Sequence, residues 1–179
     1  MTKPYLLVVS GRPGSGKTTF AETLGKEICM QVISRDRFKE GYVHTQGKGH
    51  LQLPAETNGI VNEVFFSTLM RIIEEKISVI AEAAFQHKLW SAMLEPFVSK
   101  AQIVMLICKV NEQTAQERYI SRKQNDPLRE HFHGDIIDTN PPPYEAPHMN
   151  LPTFEIDTSG EYKPSIRELK EMIFHENSK

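Results

Sequence analysis

Long apolar runs are missing from this chain. No stretch approaches the roughly 18 consecutive apolar residues that a membrane-spanning helix needs. The chain also starts directly with a predicted strand, without a cleavable apolar leader. We therefore expect a cytoplasmic protein with no membrane partner.

Cysteine is scarce, and neither sign of charge is in excess. Cys29 and Cys108 are the two cysteines, and two isolated cysteines make no metal pattern, so we predict that both pack in the core. Lys plus Arg number 21 against 23 for Asp plus Glu, which gives a formal net charge of −2. The lack of a basic excess argues against an extensive nucleic-acid interface, although the sequence is still compatible with a local basic groove. A length of 179 residues predicts one domain, residues 1–179.

The chain does have a phosphate-binding pattern near its start. Residues 6–19 read LLVVSGRPGSGKTT, which contains the pattern G-x-x-x-x-G-K-[ST]. Glycines let the backbone approach phosphates closely, Lys17 can reach the β- and γ-phosphates, and the Thr18 hydroxyl can hold Mg²⁺. The predicted nucleotide-binding residues here are Gly11, Arg12, Pro13, Gly14, Ser15, Gly16, Lys17, Thr18 and Thr19.

The flanking sequence supports this pattern. An apolar run at residues 6–9 predicts a strand that ends at the loop, and Phe20, Leu24 and Ile28 recur every four residues on a predicted helix. A helix N-terminus directly after the loop adds partial positive charge for an anion. The alternative is a glycine-rich turn in another α/β protein.

The whole chain alternates strands with helices, which predicts a five-stranded parallel sheet covered on both faces. Two segments break the alternation and are predicted to be irregular: residues 41–58, as part of the substrate rim, and residues 133–150, which are rich in proline. The predicted strands are 6–9, 31–34, 77–84, 102–110 and 154–157, and the predicted helices include 57–75 (capped by Thr57 or Asn58), 85–97, one capped by Asn111 and one that starts at Pro164.

Charged side chains at predicted strand ends are candidates for the site. Arg35 and Asp36 follow the second strand, where open α/β sheets bind ligands, although a solvated turn would also place charges there. Glu82 is the one charge in an apolar run, so it is either paired, close to a metal, or at a strand end facing water. Trp90 lies on a helical apolar stripe and is expected in the core rather than as a base-stacking platform.

Arginines recur in the segment after the fourth strand. Arg118 and Arg122 are four residues apart and share a helix face, Pro127 interrupts the helix, and Arg129 adds another basic position. A solvated basic face is the simplest interpretation. Together with the phosphate-binding pattern, these arginines predict a lid at about residues 118–135 that closes over the transferring phosphoryl group.

These motifs together resemble the P-loop small-molecule kinases, in the branch with zeta-toxin-like, chloramphenicol-phosphotransferase-like and polynucleotide 5′-hydroxyl kinases. The resemblance implies a three-layer P-loop NTPase fold with an arginine-bearing lid. Besides the loop, it rests on ISRDRFK at residues 33–39, ERYISRK at 117–123 and IDTS at 156–159.

The resemblance also implies roles for individual residues. Asp36 would accept the proton of the attacking hydroxyl, and Glu82 would be a Walker-B-like acid or a substrate contact. The lid arginines would be Arg118 and Arg122, with Thr158 and Ser159 near the adenine. Implied substrate contacts are Arg35, Asp36, Lys39, Glu82 and Phe85. One departure is that polynucleotide kinases end their third strand in Asp-Thr-Asn, whereas this chain reads Glu-Ala-Ala at 82–84.

Three functions are compatible with the sequence. The first is a kinase that uses ATP (or GTP) and Mg²⁺ to phosphorylate a hydroxyl of a nucleoside, sugar or antibiotic-like molecule, with Asp36 as general base and Lys17 and the lid arginines stabilising charge. The second is a non-catalytic nucleotide-binding regulatory module. The third is a polynucleotide 5′-hydroxyl kinase. A monomer and a homodimer are both compatible with the sequence.

Overall fold

The protein is built on one parallel sheet. The computed structural model describes residues 3–126, 128–134 and 144–175. Within them five strands run parallel in the order β2-β3-β1-β4-β5, which confirms the predicted sheet. The strands are β1 (Tyr5–Gly11), β2 (Val32–Ser34), β3 (Val79–Glu82), β4 (Gln102–Lys109) and β5 (Thr153–Asp157).

Helices connect the strands and cover both faces of the sheet. They are α1 (Lys17–Glu27), α2 (Arg35–Gln46), α3 (Thr57–Glu74), α4 (His87–Leu94), α5 (Glu112–Asn125), α6 (Arg129–His133) and α7 (Ile166–His175). Short 3₁₀ turns lie at His50–Gln52 and Glu95–Phe97. No helix in the described ranges has the length and apolar content needed to cross a membrane.

Each face of the sheet has its own apolar core. Leu6 and Val8 of β1 point to one core, and Leu7 and Val9 point to the other. Helices α3 and α4 pack on the first core, where Trp90 is fully buried as predicted. Helices α1 and α7 pack on the second core. Burial on both faces explains why β1 and β4 read as continuous apolar runs.

The segment 41–58 differs from the prediction. Helix α2 continues through Gly41 to Gln46, since one interior glycine costs a helix only about 1 kcal/mol relative to alanine. The helix ends at Gly47, whose φ of 63° is left-handed. Helix α3 has the predicted extent, but Glu56 occupies its N-cap position instead of Thr57 or Asn58.

Smaller predictions also need correction. Cys108 is buried in β4, but Cys29 is exposed in the turn after α1 and does not pack in the core. Strand β3 begins at Val79, two residues later than predicted. Helix α7 does not start at Pro164, because Ser165 and Glu168 exchange hydrogen bonds in front of its first turn. Pro127, the prolines at 141–143 and the end of the proposed lid at 135 lie outside the described residues.

Candidate active site

The carboxyl edge of the sheet brings the predicted site residues together. In the strand register Glu82 of β3 pairs with Val9 of β1 on one side and with Ser34 of β2 on the other. The chain leaves β1 into the phosphate loop (residues 11–18) and leaves β2 directly into α2. Parallel strands end at the same edge, so the phosphate loop, Glu82 and the first turn of α2 are neighbours.

Glycines give the phosphate loop its shape. Gly14 and Gly16 have left-handed φ values of 81° and 75°. A Cβ at Gly14 would overlap the carbonyl oxygen of Ala115, and one at Gly11 would overlap Ser15 Oγ and lie 2.8 Å from the carbonyl oxygen of Cys108. The loop therefore depends on glycine for both conformation and space, as a backbone cradle for phosphate requires.

Two polar side chains in the phosphate loop are buried. The Lys17 side chain lies inside the loop, where its Nζ donates to the carbonyl oxygen of Arg12 at 3.5 Å, at the long limit for a hydrogen bond. Burial lowers the pKa of Lys17, and the nearby carboxylates of Glu82 and Asp36 oppose that shift. Ser15 Oγ is buried with no hydrogen-bond partner among the described residues. The Lys17 ammonium and the unpartnered Ser15 hydroxyl, both in the phosphate loop, are suited to bind the oxygens of a polyphosphate.

Glu82 links the loop to β2. The side chains of Thr18 and Ser34 donate hydrogen bonds to its two carboxylate oxygens at 3.3 and 2.6 Å. Glu82 is 2% exposed, so the interpretation that it faces water is wrong. Burial raises the pKa of Glu82, while Lys17 and the two hydrogen bonds act in the opposite direction. Sequence reasoning missed Ser34, which only the strand register reveals.

The Thr18 hydroxyl and the Glu82 carboxylate are suitable for Mg²⁺. Mg²⁺ in nucleotide sites takes one or two protein oxygens and completes its shell with phosphates and water. Among the described residues no group of three or more His, Cys, Asp or Glu side chains is arranged to hold a metal by itself. The site thus fits an ion shared with a nucleotide rather than a dedicated metal cage.

Arg35 and Asp36 occupy the first turn of α2. The Arg35 guanidinium donates to Asn62 Oδ1 at 3.0 Å and to Asn58 Oδ1 at 2.7 Å, and its Nη1 lies 3.6 Å from Asp36 Oδ1. Asn58 and Asn62 are on α3 and were not foreseen. The Asp36 side chain is 52% exposed, so its carboxylate can meet a ligand from solution.

Lys39 and Phe85 have structural contacts. Lys39 is buried, and its Nζ donates to the carbonyl oxygen of His133 at 3.0 Å, which ties α2 to α6. His133 Nε2 in turn lies 3.1 Å from Glu40 Oε1. Phe85 is half-buried and stacks on Phe66 with ring centroids 5.7 Å apart. Neither arrangement tests the predicted contacts with substrate.

The arginines of α5 border a cavity beside the phosphate loop. Arg118 Nη2 donates to the carbonyl oxygens of Thr158 and Ser159 at 3.1 and 3.2 Å. Thr158 Oγ1 donates to the carbonyl oxygen of Ser15 at 2.6 Å, so the segment after β5 is fixed to the loop. Arg122 is close enough to Lys17 to contribute to lowering its pKa. The cavity, of about 600 Å³, is lined by Gly14, Gly16, Thr19, Glu117, Arg118, Ser121, Arg122, Thr158, Gly160 and Tyr162.

A sheet of this order with a phosphate loop after β1 defines a P-loop kinase fold. The family model described as an AAA domain matches residues 6–140, and the chain belongs to that family. A cytidylate kinase from Sulfurisphaera tokodaii is 30% identical over 80 residues, which are 44% of this chain and 44% of that protein. The chain thus aligns with less than half the length of this curated relative.

Solved structures share the fold over nearly the whole chain. A candidate kinase from Chloroflexus aurantiacus J-10-fl superposes with a TM-score of 0.80 at 18% identity, covering 97% of this chain and 98% of that one. The APS kinase of Mycobacterium tuberculosis, solved with AMPPNP and APS, superposes with a TM-score of 0.64 at 12% identity, covering 98% of both chains. At these identities the likeness concerns the fold.

Proposed function

We propose that the protein is an ATP-dependent kinase that transfers the γ-phosphoryl group to a hydroxyl of a small molecule. The observation that carries the proposal is the accessible carboxylate of Asp36 on the same sheet edge as the phosphate loop and Glu82. A protein that only binds nucleotide needs no such carboxylate. The cytidylate kinase relative and the APS kinase neighbour are both named for nucleotide acceptors, which favours an acceptor that contains a nucleoside; sugars and antibiotic-like molecules are further candidates.

Each residue of the site has a role in this proposal. The backbone of residues 11–18 and the Lys17 ammonium neutralise the nucleotide's phosphates, and Thr18 and Glu82 hold Mg²⁺. Bound ATP with Mg²⁺ supplies the activated phosphoryl group. Asp36 orients the acceptor hydroxyl and takes its proton, and Arg35 holds the Asp36 side chain in place. Positioning and charge stabilisation account for most catalysis in phosphoryl transfer.

The test is a screen for acceptor-dependent ADP release with Mg²⁺–ATP against nucleosides, sugars and aminoglycosides. A single acceptor class should stimulate ADP release, and the phosphorylated product should be detectable by mass spectrometry.

Asp36→Asn keeps the shape of the side chain and removes the proton acceptor, so the rate of phosphoryl transfer should fall by roughly 10²–10⁴-fold while ATP binding stays near wild type. A matched control is Glu171→Gln, an exposed carboxylate on α7, which should leave transfer unchanged.

The alternatives predict different results. A regulatory module would bind nucleotide and show no acceptor-stimulated ADP release. A polynucleotide 5′-hydroxyl kinase would respond to an oligonucleotide with a free 5′ hydroxyl, which belongs in the same screen. Wild-type transfer by the Asp36→Asn variant would remove Asp36 from the role of general base.

A further inference from the structure

A segment distant in sequence lies over the end of β1. We call residues 144–149 the strap. Its Tyr144 hydroxyl lies 2.9 Å from Ser10 Oγ, although the two residues are 134 positions apart. The Gly11 backbone is close enough to the Tyr144 oxygen to act on the pKa of that hydroxyl, in the lowering direction. The strap thus contacts the residue that directly precedes the phosphate loop.

The strap has a second set of contacts beyond β3. The Glu145 N–H donates to Gln86 Oε1 at 2.6 Å, and the His87 N–H donates to the Glu145 carbonyl oxygen at 3.1 Å. The His148 N–H donates to His87 Nδ1 at 3.2 Å, and the two imidazoles stack with centroids 3.6 Å apart. These bonds fix the strap to the start of α4, which follows β3 in the chain.

The position of the strap relative to Asp36 follows from the sheet order. Asp36 follows β2, Glu82 ends β3 and Ser10 lies near the end of β1, and neighbouring strands are about 4.8 Å apart. The anchor on Ser10 therefore lies about two strand spacings, roughly 10 Å, from the start of α2. Ala146 and Met149 pack on the same core as Phe38 of α2, so the strap and α2 are on the same side of the sheet.

We propose that Tyr144 is a positioning residue of the acceptor site, which anchors the strap to the phosphate loop as the wall opposite Asp36. This proposal rests on the proposed function, since it concerns the acceptor of that reaction. The anchor is Ser10, which directly precedes the phosphate loop, so nucleotide binding in the loop is coupled to the order of the strap. Nucleotide binding then helps to shape the space that the acceptor enters.

The molecule contains its own reporter for this coupling. Trp90 is the single tryptophan, and its Nε1 donates to Ser10 Oγ at 3.0 Å in a fully buried environment. Ser10 thus joins Trp90 to Tyr144 through one hydroxyl. A change at the strap or at Gly11 alters the hydrogen bonding of this hydroxyl and so the environment of the indole. The fluorescence emission of Trp90 therefore reports on the hydrogen bond between Tyr144 and Ser10.

The test compares Tyr144→Phe with wild type by hydrogen exchange and Trp90 fluorescence. The variant keeps the ring and removes the hydroxyl, so exchange at the Glu145 and His148 amides should rise roughly 2- to 10-fold, as expected for one lost hydrogen bond. AMPPNP with Mg²⁺ should slow exchange at these two amides in wild type and change Trp90 emission, and both responses should shrink in Tyr144→Phe. Tyr5→Phe, at the opposite end of β1, is the matched control.

Kinetics separate positioning from a merely structural role. With the acceptor found in the screen, Tyr144→Phe should raise the acceptor KM roughly 2- to 10-fold and leave the ATP KM within twofold of wild type. Unchanged exchange at Glu145 and His148 in Tyr144→Phe, or the same response in Tyr5→Phe, would overturn the proposal. If no acceptor is phosphorylated, the kinase proposal fails, and the exchange data still decide whether Tyr144 anchors the strap.

Discussion

Glu82 shows how much of a residue's role depends on its partners. Its position in an apolar run indicates a buried acid, and burial without partners would be costly. The strand register supplies those partners, because Ser34 is its direct neighbour in β2 and Thr18 reaches it from the first turn of α1. The carboxylate that we assign to Mg²⁺ is therefore held by the fold before any ligand binds.

The raised pKa of Glu82 predicts a pH effect on stability. Between its unfolded value of about 4.5 and its higher folded value, the native state holds more protons than the unfolded state, so stability falls as the pH rises. Glu82→Gln should remove this decline, which for one group is at most about 1.4 kcal/mol per pH unit. Urea unfolding of both proteins from pH 4.5 to 7.5 measures the difference.

The control for this experiment is Glu63→Gln, an exposed position on α3. Its pH profile should run parallel to that of wild type. If Glu82→Gln also runs parallel to wild type over the same range, the burial of Glu82 does not affect its ionisation in the way the structure indicates.

At the scale of elements, α5 carries both predicted lid arginines on one face. Asn111 Oδ1 accepts a hydrogen bond from the Thr114 N–H at 2.8 Å, which confirms the predicted cap and fixes where the helix begins. The two arginines differ in their contacts. Arg118 holds the carbonyls of residues 158–159, whereas Arg122 is electrostatically coupled to Lys17.

This difference refines the prediction for the two arginines. Arg122→Ala should lower kcat by at least about 10²-fold with little change in nucleotide affinity, since lid arginines act on charge developed during transfer. Arg118→Ala should weaken nucleotide binding as well, because the segment at 158–159 loses its support. Steady-state kinetics and AMPPNP titration separate the two effects. Arg167→Ala on α7, which removes an exposed arginine, serves as the control. An unchanged kcat in Arg122→Ala would mean that Arg122 belongs to a solvated helix face and does not act on the phosphoryl group.

At the scale of the whole molecule, the sequence predicts the sheet and the phosphate loop because both depend on local patterns. Apolar runs mark strands buried on both faces, and glycines mark the loop. Contacts between distant elements were not predictable. Asn58 and Asn62 reach Arg35 only through the packing of α3 on α2, and Tyr144 reaches Ser10 from 134 residues away. The prediction that residues 41–58 are irregular is wrong for the end of α2, because glycine reads as a helix breaker in sequence although a single one is affordable inside a helix.

Nucleotide binding should stabilise the whole domain, since the phosphate loop joins β1 to α1 in its centre. AMPPNP with Mg²⁺ at 100 times its Kd adds about 2.7 kcal/mol to the free energy of unfolding. For a domain of this size that corresponds to a rise in Tm of roughly 5–10 °C.

Lys17→Ala should remove most of this rise in Tm without lowering the Tm of the free protein, because the buried Lys17 ammonium is costly in the absence of phosphate. Lys100→Ala, an exposed lysine paired with Glu74, should keep the full shift. A Lys17→Ala variant that gains as much Tm as wild type would show that the loop does not bind the phosphates as proposed.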